Sequence, residues 1–377
     1  MAGIYVHIPY CKTKCPYCDF FSVTQRDNAS TFVKALLKEI YLQADYLGNK
    51  EIKTLYFGGG TPSLLQTEEL KIIYEALYEN FKISGEAERT IECNPDDVSP
   101  DFFKALKSIG FNRLSLGIQS FHEDELEFLG RRHDIVQNNR ALEWAFEEGF
   151  QNTSIDLIYG LPGSTTEKWG ITLEKAFQYP FMHLSAYHLT IEPDTIFGKK
   201  LNEGELQEIS EENSLEQFRL LMDYARDKGF EHYELSSFSL PGCYSRHNTA
   251  YWMQKPYLGL GPSAHSYDGK TRQWNVSNLK LYNESVMSGT IPSKQETLTT
   301  RDHFNEYLIT RLRTQWGVNL DKMEQKFGKN YKNYFLRASR YFLDNHYLQQ
   351  DGSQITLTRD GKFISDTIFR EMVLSGD

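Results

Sequence analysis

The sequence predicts an α/β fold: an open, partial (β/α)6 barrel of parallel strands with a small C-terminal α+β domain. Three observations predict it. Short apolar or β-branched runs alternate with amphipathic helical stretches through the first 230 residues. Six such units imply right-handed βαβ connections, but they are too few for the closed eight-stranded barrel. Polar, chemistry-bearing residues stand at the ends of the strand runs, one set per strand, where a barrel of this kind builds its mouth.

The first run is Gly3–Ile8, stopped by Pro9, and a cysteine-rich loop follows. A helix is expected over about Ser30–Tyr46, with Ser30 as N-cap and Val33, Leu36, Leu37, Ile40 and Tyr41 on one face. Thr54–Phe57 is the second strand and ends in Gly58-Gly59-Gly60-Thr61-Pro62. The helix from Thr67 has Leu70, Ile73, Leu77 and Phe81 in phase. Thr90–Cys93 stops at Asn94-Pro95 and precedes a helix over Ser99–Ile109. Arg113–Gly117 leads into Gln119, then into helical stretches near Glu123–Leu129 and Asp134–Glu148. Ser154–Ile158 is closed by Gly160-Leu161-Pro162-Gly163, before a helix over Thr165–Gln178. His183–Leu189 is the sixth strand, and a long helix spans about Ser210–Lys228.

Beyond the barrel the pattern loosens. Tyr233–Phe238 reads as a seventh strand and 289–299 as a linker. The tail from Thr300 is helical, then forms a hairpin of Tyr347–Gln350 and Gln354–Leu357 around Asp351-Gly352, with a final helix to about Leu374. The expected organisation is a barrel over 1–230, an extension over 231–290 and a winged-helix-like domain over 300–377.

The 377 residues carry a net charge of −10, which argues against broad electrostatic binding of nucleic acid. No apolar run is long enough to span a bilayer, and the N-terminus enters a strand at once rather than a secretory signal. Five cysteines, three of them clustered, suit a reducing cytoplasm. A peripheral visit to a membrane remains compatible with this composition.

Cys11, Cys15 and Cys18 are spaced C-x3-C-x2-C, with Tyr17 before the last. An odd number of thiols on so tight a loop cannot all pair as disulfides, so the loop reads as a metal or cluster site. A four-iron cube normally takes four cysteines, and three would leave one iron open to an outside ligand. The alternatives are zinc, with His7 as a fourth ligand, and plain packing of small apolar residues. Gly58–Gly60 lets a backbone approach a ligand closely, but lacks the Lys-Ser/Thr of a P-loop. Glu92 can accept hydrogen bonds from hydroxyls or offset a cation, and Gln119, Arg131 and Asp156 can bind a second polar ligand.

The motifs Gly-Ile-Tyr-Val-His-Ile-Pro-Tyr-Cys, Tyr-Phe-Gly-Gly-Gly-Thr-Pro-Ser, Glu-Cys-Asn-Pro, Leu-Gly-Ile-Gln-Ser-Phe and Asp-Leu-Ile-Tyr-Gly-Leu-Pro-Gly occur in that order. With the cysteine spacing, they make the whole chain resemble one branch of the radical S-adenosylmethionine proteins. That branch contains oxygen-independent coproporphyrinogen III oxidase and the heme chaperones. The resemblance implies a [4Fe-4S] cluster on Cys11, Cys15 and Cys18. It implies S-adenosyl-L-methionine (SAM) against Tyr5, Gly59, Glu92 and Thr190, and a second molecule near Gly60, Thr61, Gln119, Arg131 and Asp156. The oxidase carries an arm before the first strand and a fourth cysteine two residues after the third; here that position is Phe20. His247-Asn248-Thr249-Ala250-Tyr251-Trp252 is similar to the HNxxYW motif of the chaperones, which implies heme ligated by His247. The expected function is delivery of heme to acceptor proteins, membrane-bound respiratory enzymes among them, by a monomer or homodimer; the alternative is the oxidase.

Overall fold

The computed structural model describes residues 2–26 and 29–374. The outer bounds expected at Met1 and Asp377 lie outside them. One twelve-stranded sheet dominates. Its parallel centre is β1 (Ala2–Ile8), β2 (Ile52–Gly59), β3 (Ile83–Cys93), β4 (Arg113–Gln119), β5 (Thr153–Tyr159) and β6 (His183–His188), hydrogen-bonded in that order. The register runs, for example, Tyr5 to Tyr56, Tyr56 to Thr90 and Asp156 to Ser185.

Successive residues of these strands face opposite ways. Ile4, Val6, Leu55, Phe57, Ile91, Leu114, Leu116, Ile155 and Leu157 form one buried apolar core. The helices supply its other half: α1 (Ala29–Leu42), α2 (Thr67–Asn80), α3 (Pro100–Ile109), α5 (Ile135–Glu147, after the short α4, Glu123–Phe128), α6 (Thr166–Ala176) and α8 (Glu211–Asp227). Ser99, Asp134, Thr165 and Ser210 cap four of them. Side-chain oxygens at these positions satisfy backbone amides that a helix start leaves unpaired. The alternate strand face is polar. Thr54, Tyr56, Glu88, Glu92, Ser115, Ser154, Asp156, His183 and Ser185 hydrogen-bond among themselves and with His247 inside the barrel.

The barrel does not close, and further strands extend the sheet beyond the six on both sides. The run expected as one seventh strand is a hairpin: β7 (Glu231–Glu234) turns at Leu235-Ser236, and β8 (Ser237–Ser239) pairs antiparallel with β6. On the far side β9 (Tyr257–Leu260) runs parallel to β1, followed by antiparallel β10 (His265–Tyr267), β11 (Thr271–Asn275) and β12 (Ser293–Thr297). β12 occupies the expected linker. It is exposed throughout, and Lys294 and Glu296 protect this edge from pairing with another chain. Helix α1 is already formed at Ala29, so Ser30 lies inside its first turn, the capping position lies outside the described residues, and Tyr41 faces solvent. A short helix that the periodicity did not predict, α7 (Ile196–Asn202), lies between β6 and α8.

The helix α9 (Arg246–Trp252) carries the HNxxYW residues, and α10 (Leu279–Met287) packs on α1. The tail has its own core around Phe304, Leu308, Met323, Phe335 and Ile368. It contains α11 (Thr300–Leu312), α12 (Leu320–Phe327), α13 (Lys329–Asp344) and the sheet of β13 (Val318–Asn319), β14 (Leu348–Asp351) and β15 (Gln354–Leu357). The final stretch is two helices, α14 (Arg359–Phe363) and α15 (Ser365–Met372). The tail is bound to the barrel through Arg313 Nε to Glu234 (2.7 Å) and a double contact of Arg359 with Asp223 (2.7 Å each).

Candidate functional site

The cysteine loop sits at the C-terminal ends of the parallel strands and is held by backbone before any metal is considered. Val23 N donates to Pro9 O (2.7 Å) and Cys11 N to Val23 O (3.0 Å). The His7 ring bonds the Phe21 carbonyl (2.9 Å) on one side and the Tyr5 hydroxyl (3.1 Å) on the other. Burial pulls His7 down to about 4, so the ring is neutral. With both nitrogens engaged, His7 is not a fourth metal ligand. Helix α7 braces the loop from outside: Phe197 N donates to Pro16 O (2.9 Å), and Tyr17 packs on a small cluster of Phe197, Leu161 and Leu189.

The three thiols are free and half-exposed, and they line one crevice with Gly59, Gly60, Thr61 and Arg131. Among the described residues no three His, Cys, Asp or Glu side chains are arranged to hold a single metal ion. A cube suits the donor set, because its thiolates bind separate irons and stand apart. Thr61 Oγ1 donates to Cys11 Sγ (3.5 Å), and the Arg131 guanidinium reaches Cys15 Sγ (3.6 Å).

Behind the loop a cleft of about 590 Å³ runs into the barrel, lined by Cys18, Gly59, Glu92, Gln119, Asp156 and Thr190 among others. The glycines are sterically required. Gly59 has φ +109°, and a Cβ there would lie 2.6 Å from His7 Nδ1; one at Gly60 would lie 2.6 Å from the Tyr10 carbonyl. Gln119 ends its strand at φ +67°, a left-handed conformation uncommon outside glycine. Glu92 accepts from the Tyr56 hydroxyl (2.7 Å) and the Gly59 amide (3.2 Å). Burial, with a smaller push from Asp156, still raises its carboxyl to about 7. Asp156 accepts from Ser115 (2.8 Å) and Ser154 (3.1 Å), and burial raises it as well. The cleft is therefore set to receive a cation or hydroxyl donors beside two carboxyls that burial makes hold their protons more tightly than usual.

Twelve of the expected positions line the crevice or the cleft: the three cysteines with Tyr17, Gly59, Gly60, Thr61, Glu92, Gln119, Arg131, Asp156 and Thr190. Tyr5 lies deeper, its ring 6.5 Å from that of His247. His247 is elsewhere altogether, under the barrel floor and 1% exposed. Its Nδ1 meets Thr54 Oγ1 (2.8 Å) and its Nε2 the Tyr251 hydroxyl (2.7 Å), while its ring stacks on Tyr56. The expectation of an imidazole free to ligate is not met. Burial also lowers this ring to about 3, so it is neutral.

Some residues of the site escaped the sequence reading. Asn94 binds Arg131 (2.6 Å) and Thr61 (3.3 Å), linking the end of the third strand to the glycine turn and to the segment after α4. Asp96 and Asp97 receive Lys12 of the loop (3.5 Å to Asp96) and Arg132 (3.8 Å to Asp97). The adjacent acids after Asn94-Pro95 and the cations between the cysteines were the available signal.

Comparison with known proteins agrees with this geometry. A family model described as the Radical SAM superfamily matches residues 5–176, and one described as the HemN C-terminal domain matches 298–364. A protein of Bacillus subtilis (strain 168) named heme chaperone HemW is 33% identical, covering 98% of each chain. Another of that name, from Lactococcus lactis subsp. lactis, is 31% identical over 98% of this chain and 97% of the other. The chain belongs to the HemW family. The solved structure of coproporphyrinogen III oxidase (HemN) from Escherichia coli, a radical SAM enzyme, superposes with a TM-score of 0.86. It is 25% identical and covers 99% of this chain and 90% of that one. The oxidase thus shares the open sheet and separate C-terminal domain seen here. The Radical SAM match begins at Tyr5, just before the cysteine loop.

Proposed function

We propose that this HemW-family chain is a heme chaperone that holds heme, carries a [4Fe-4S] cluster with SAM, and passes heme to acceptor proteins. The observation that carries the reading is nearly full-length similarity to several proteins of that name, joined to a three-cysteine loop over a polar cleft. Cys11, Cys15 and Cys18 would hold the cluster. When bound, it supplies an open iron for the amino and carboxylate groups of SAM, whose sulfonium one electron can cleave. Gly59 leaves room for the methionine end. Glu92 accepts ribose hydroxyls or faces the sulfonium, whose positive charge would restore its ionised form. Gly60, Thr61, Gln119, Arg131 and Asp156 serve a carboxylate or a second nucleotide, with Arg131 as the cation.

We place the protein in the cytoplasm, with acceptors that include membrane-bound respiratory enzymes approached from the surface. Among the described residues no helix is long and apolar enough to cross a membrane. A homodimer would serve this delivery as well as a monomer. We propose a barrel over 1–230, an extension over 231–290 and a C-terminal domain over 300–377.

The test is anaerobic reconstitution followed by heme titration and, on the same sample, incubation with coproporphyrinogen, SAM and reductant. We expect saturable heme binding and no protoporphyrinogen. Protoporphyrinogen formation would replace the chaperone with the oxidase, a reading with which the shared fold with HemN is compatible.

A further inference from the structure

The larger cleft lies away from the cysteine loop. It encloses about 710 Å³ where the end of α9 meets the C-terminal domain. That is within the range of small-molecule and cofactor pockets. Met253 and Gln254, directly after the HNxxYW residues, form one wall, and α11, α12 and the segment 315–319 form the others.

Its chemistry is unlike the rest of the molecule. In a chain of net charge −10, the lining carries Arg311, Lys322 and Lys326 and no Asp or Glu. None of the three has a carboxylate partner among the described residues. The nearby acids Glu324 and Asp321 are taken by Lys332 at 2.6 and 3.9 Å. Arg311 and Lys326 instead lie near the Tyr307 ring, 5.5 and 5.6 Å from its centroid. Two buried donors of the lining, Nε of Arg311 and Nε2 of Gln254, have no acceptor among the described residues. Buried donors are rarely left unpaired, so the cleft calls for an anionic acceptor. Partial burial lowers both Arg311 and Lys326, and the Arg311 guanidinium lowers Lys326 further. The remaining lining is flat or soft: Tyr307, Trp316 and the Met253 thioether.

We propose that this cleft is the cargo site and takes a flat apolar dicarboxylate, heme. Its propionates would meet Arg311, Lys322 and Lys326, and its ring face would meet Trp316 and Met253. This rests on the heme-chaperone reading and moves the cargo from the His247 imidazole to the cleft where α9 ends. His247 then acts as the anchor that fixes α9 to the barrel floor, through Thr54 and through Glu88, which accepts from the His247 amide (3.0 Å).

The test compares the wild type with Lys322→Glu/Lys326→Glu, titrated by absorbance with iron protoporphyrin IX and with its dimethyl ester. Both lysines are exposed, so the variant should fold and load iron on the cysteine loop as the wild type does. We expect the free acid to bind the variant at least about tenfold more weakly, the loss of one to two charge-assisted contacts. The ester should bind both proteins alike. Equal affinity of both proteins for the free acid, or equal weakening of acid and ester, overturns the cleft and leaves the chaperone reading standing. A wild type that binds neither probe overturns both.

Discussion

The two ends of the barrel interior are built from the same strands and the same kinds of residue, yet they do opposite things. At the floor the histidines and Glu88 are spent on other protein groups. His183 bridges Ser154 (2.8 Å) and Tyr233 (2.7 Å), His247 bridges Thr54 and Tyr251, and Glu88 accepts from the amides of Arg246 (3.1 Å) and His247. At the mouth Glu92, Asp156 and Arg131 are also bonded, but all three line an open cleft. A buried polar residue is functional when some of its bonding capacity faces space and structural when none does. Histidine alone does not distinguish the two.

The comparison is most sharply tested at the cysteines. Cys15→Ala should abolish iron loading after anaerobic reconstitution while changing stability by no more than about 0.5 kcal/mol, because the loop is tied by backbone and by His7. Iron analysis beside a denaturant melt reads both. The floor should answer the other way. Glu88→Ala strands two buried amides and should cost about 4 kcal/mol, with iron loading of the folded protein intact. A melt showing less than a quarter of that loss would remove the floor network as a structural unit.

At the mouth the sign of a pH effect is diagnostic. Glu92 binds its proton more tightly folded (about 7) than at the ordinary 4.5. Stability should therefore be full below pH 4.5, fall as pH rises, and level off above pH 7. Glu92→Gln should flatten that fall and gain up to about 3 kcal/mol above pH 7, which melts across a pH series would show. The smallest effect belongs to Phe20, 71% exposed on the cleft rim. Phe20→Ser should shift stability by less than about 0.5 kcal/mol, and a larger loss would mean that the rim is packed in solution.

Period and punctuation made the six parallel strands and their helices readable. Pro9, Gly58–Gly60 and Asn94-Pro95 each end a strand where the chain must turn. The cysteine spacing declared itself because its ligands are local. What was not readable depended on partners distant in sequence. Arg131 meets Asn94 across 37 positions, and His247 meets Thr54 across 193. Nothing in His-Asn-x-x-Tyr-Trp says that the ring points into a closed floor. Tyr233–Phe238 alternates like one strand, but the turn at Leu235-Ser236 folds it back. The charged run Ser293–Thr297 lacks an apolar face because it is a sheet edge wet on all sides.

The tether between His7 and Phe21 carries one more consequence. Because strand and loop are fastened by an imidazole and by main-chain bonds, the course of the loop does not depend on what its thiols hold. Iron is then a late arrival at a finished seat rather than the nucleus of folding. Exposure to air would strip the protein of its inorganic part and leave a reusable shell, so the cell's cost of oxidative damage here is counted in iron and sulfide, not in polypeptide.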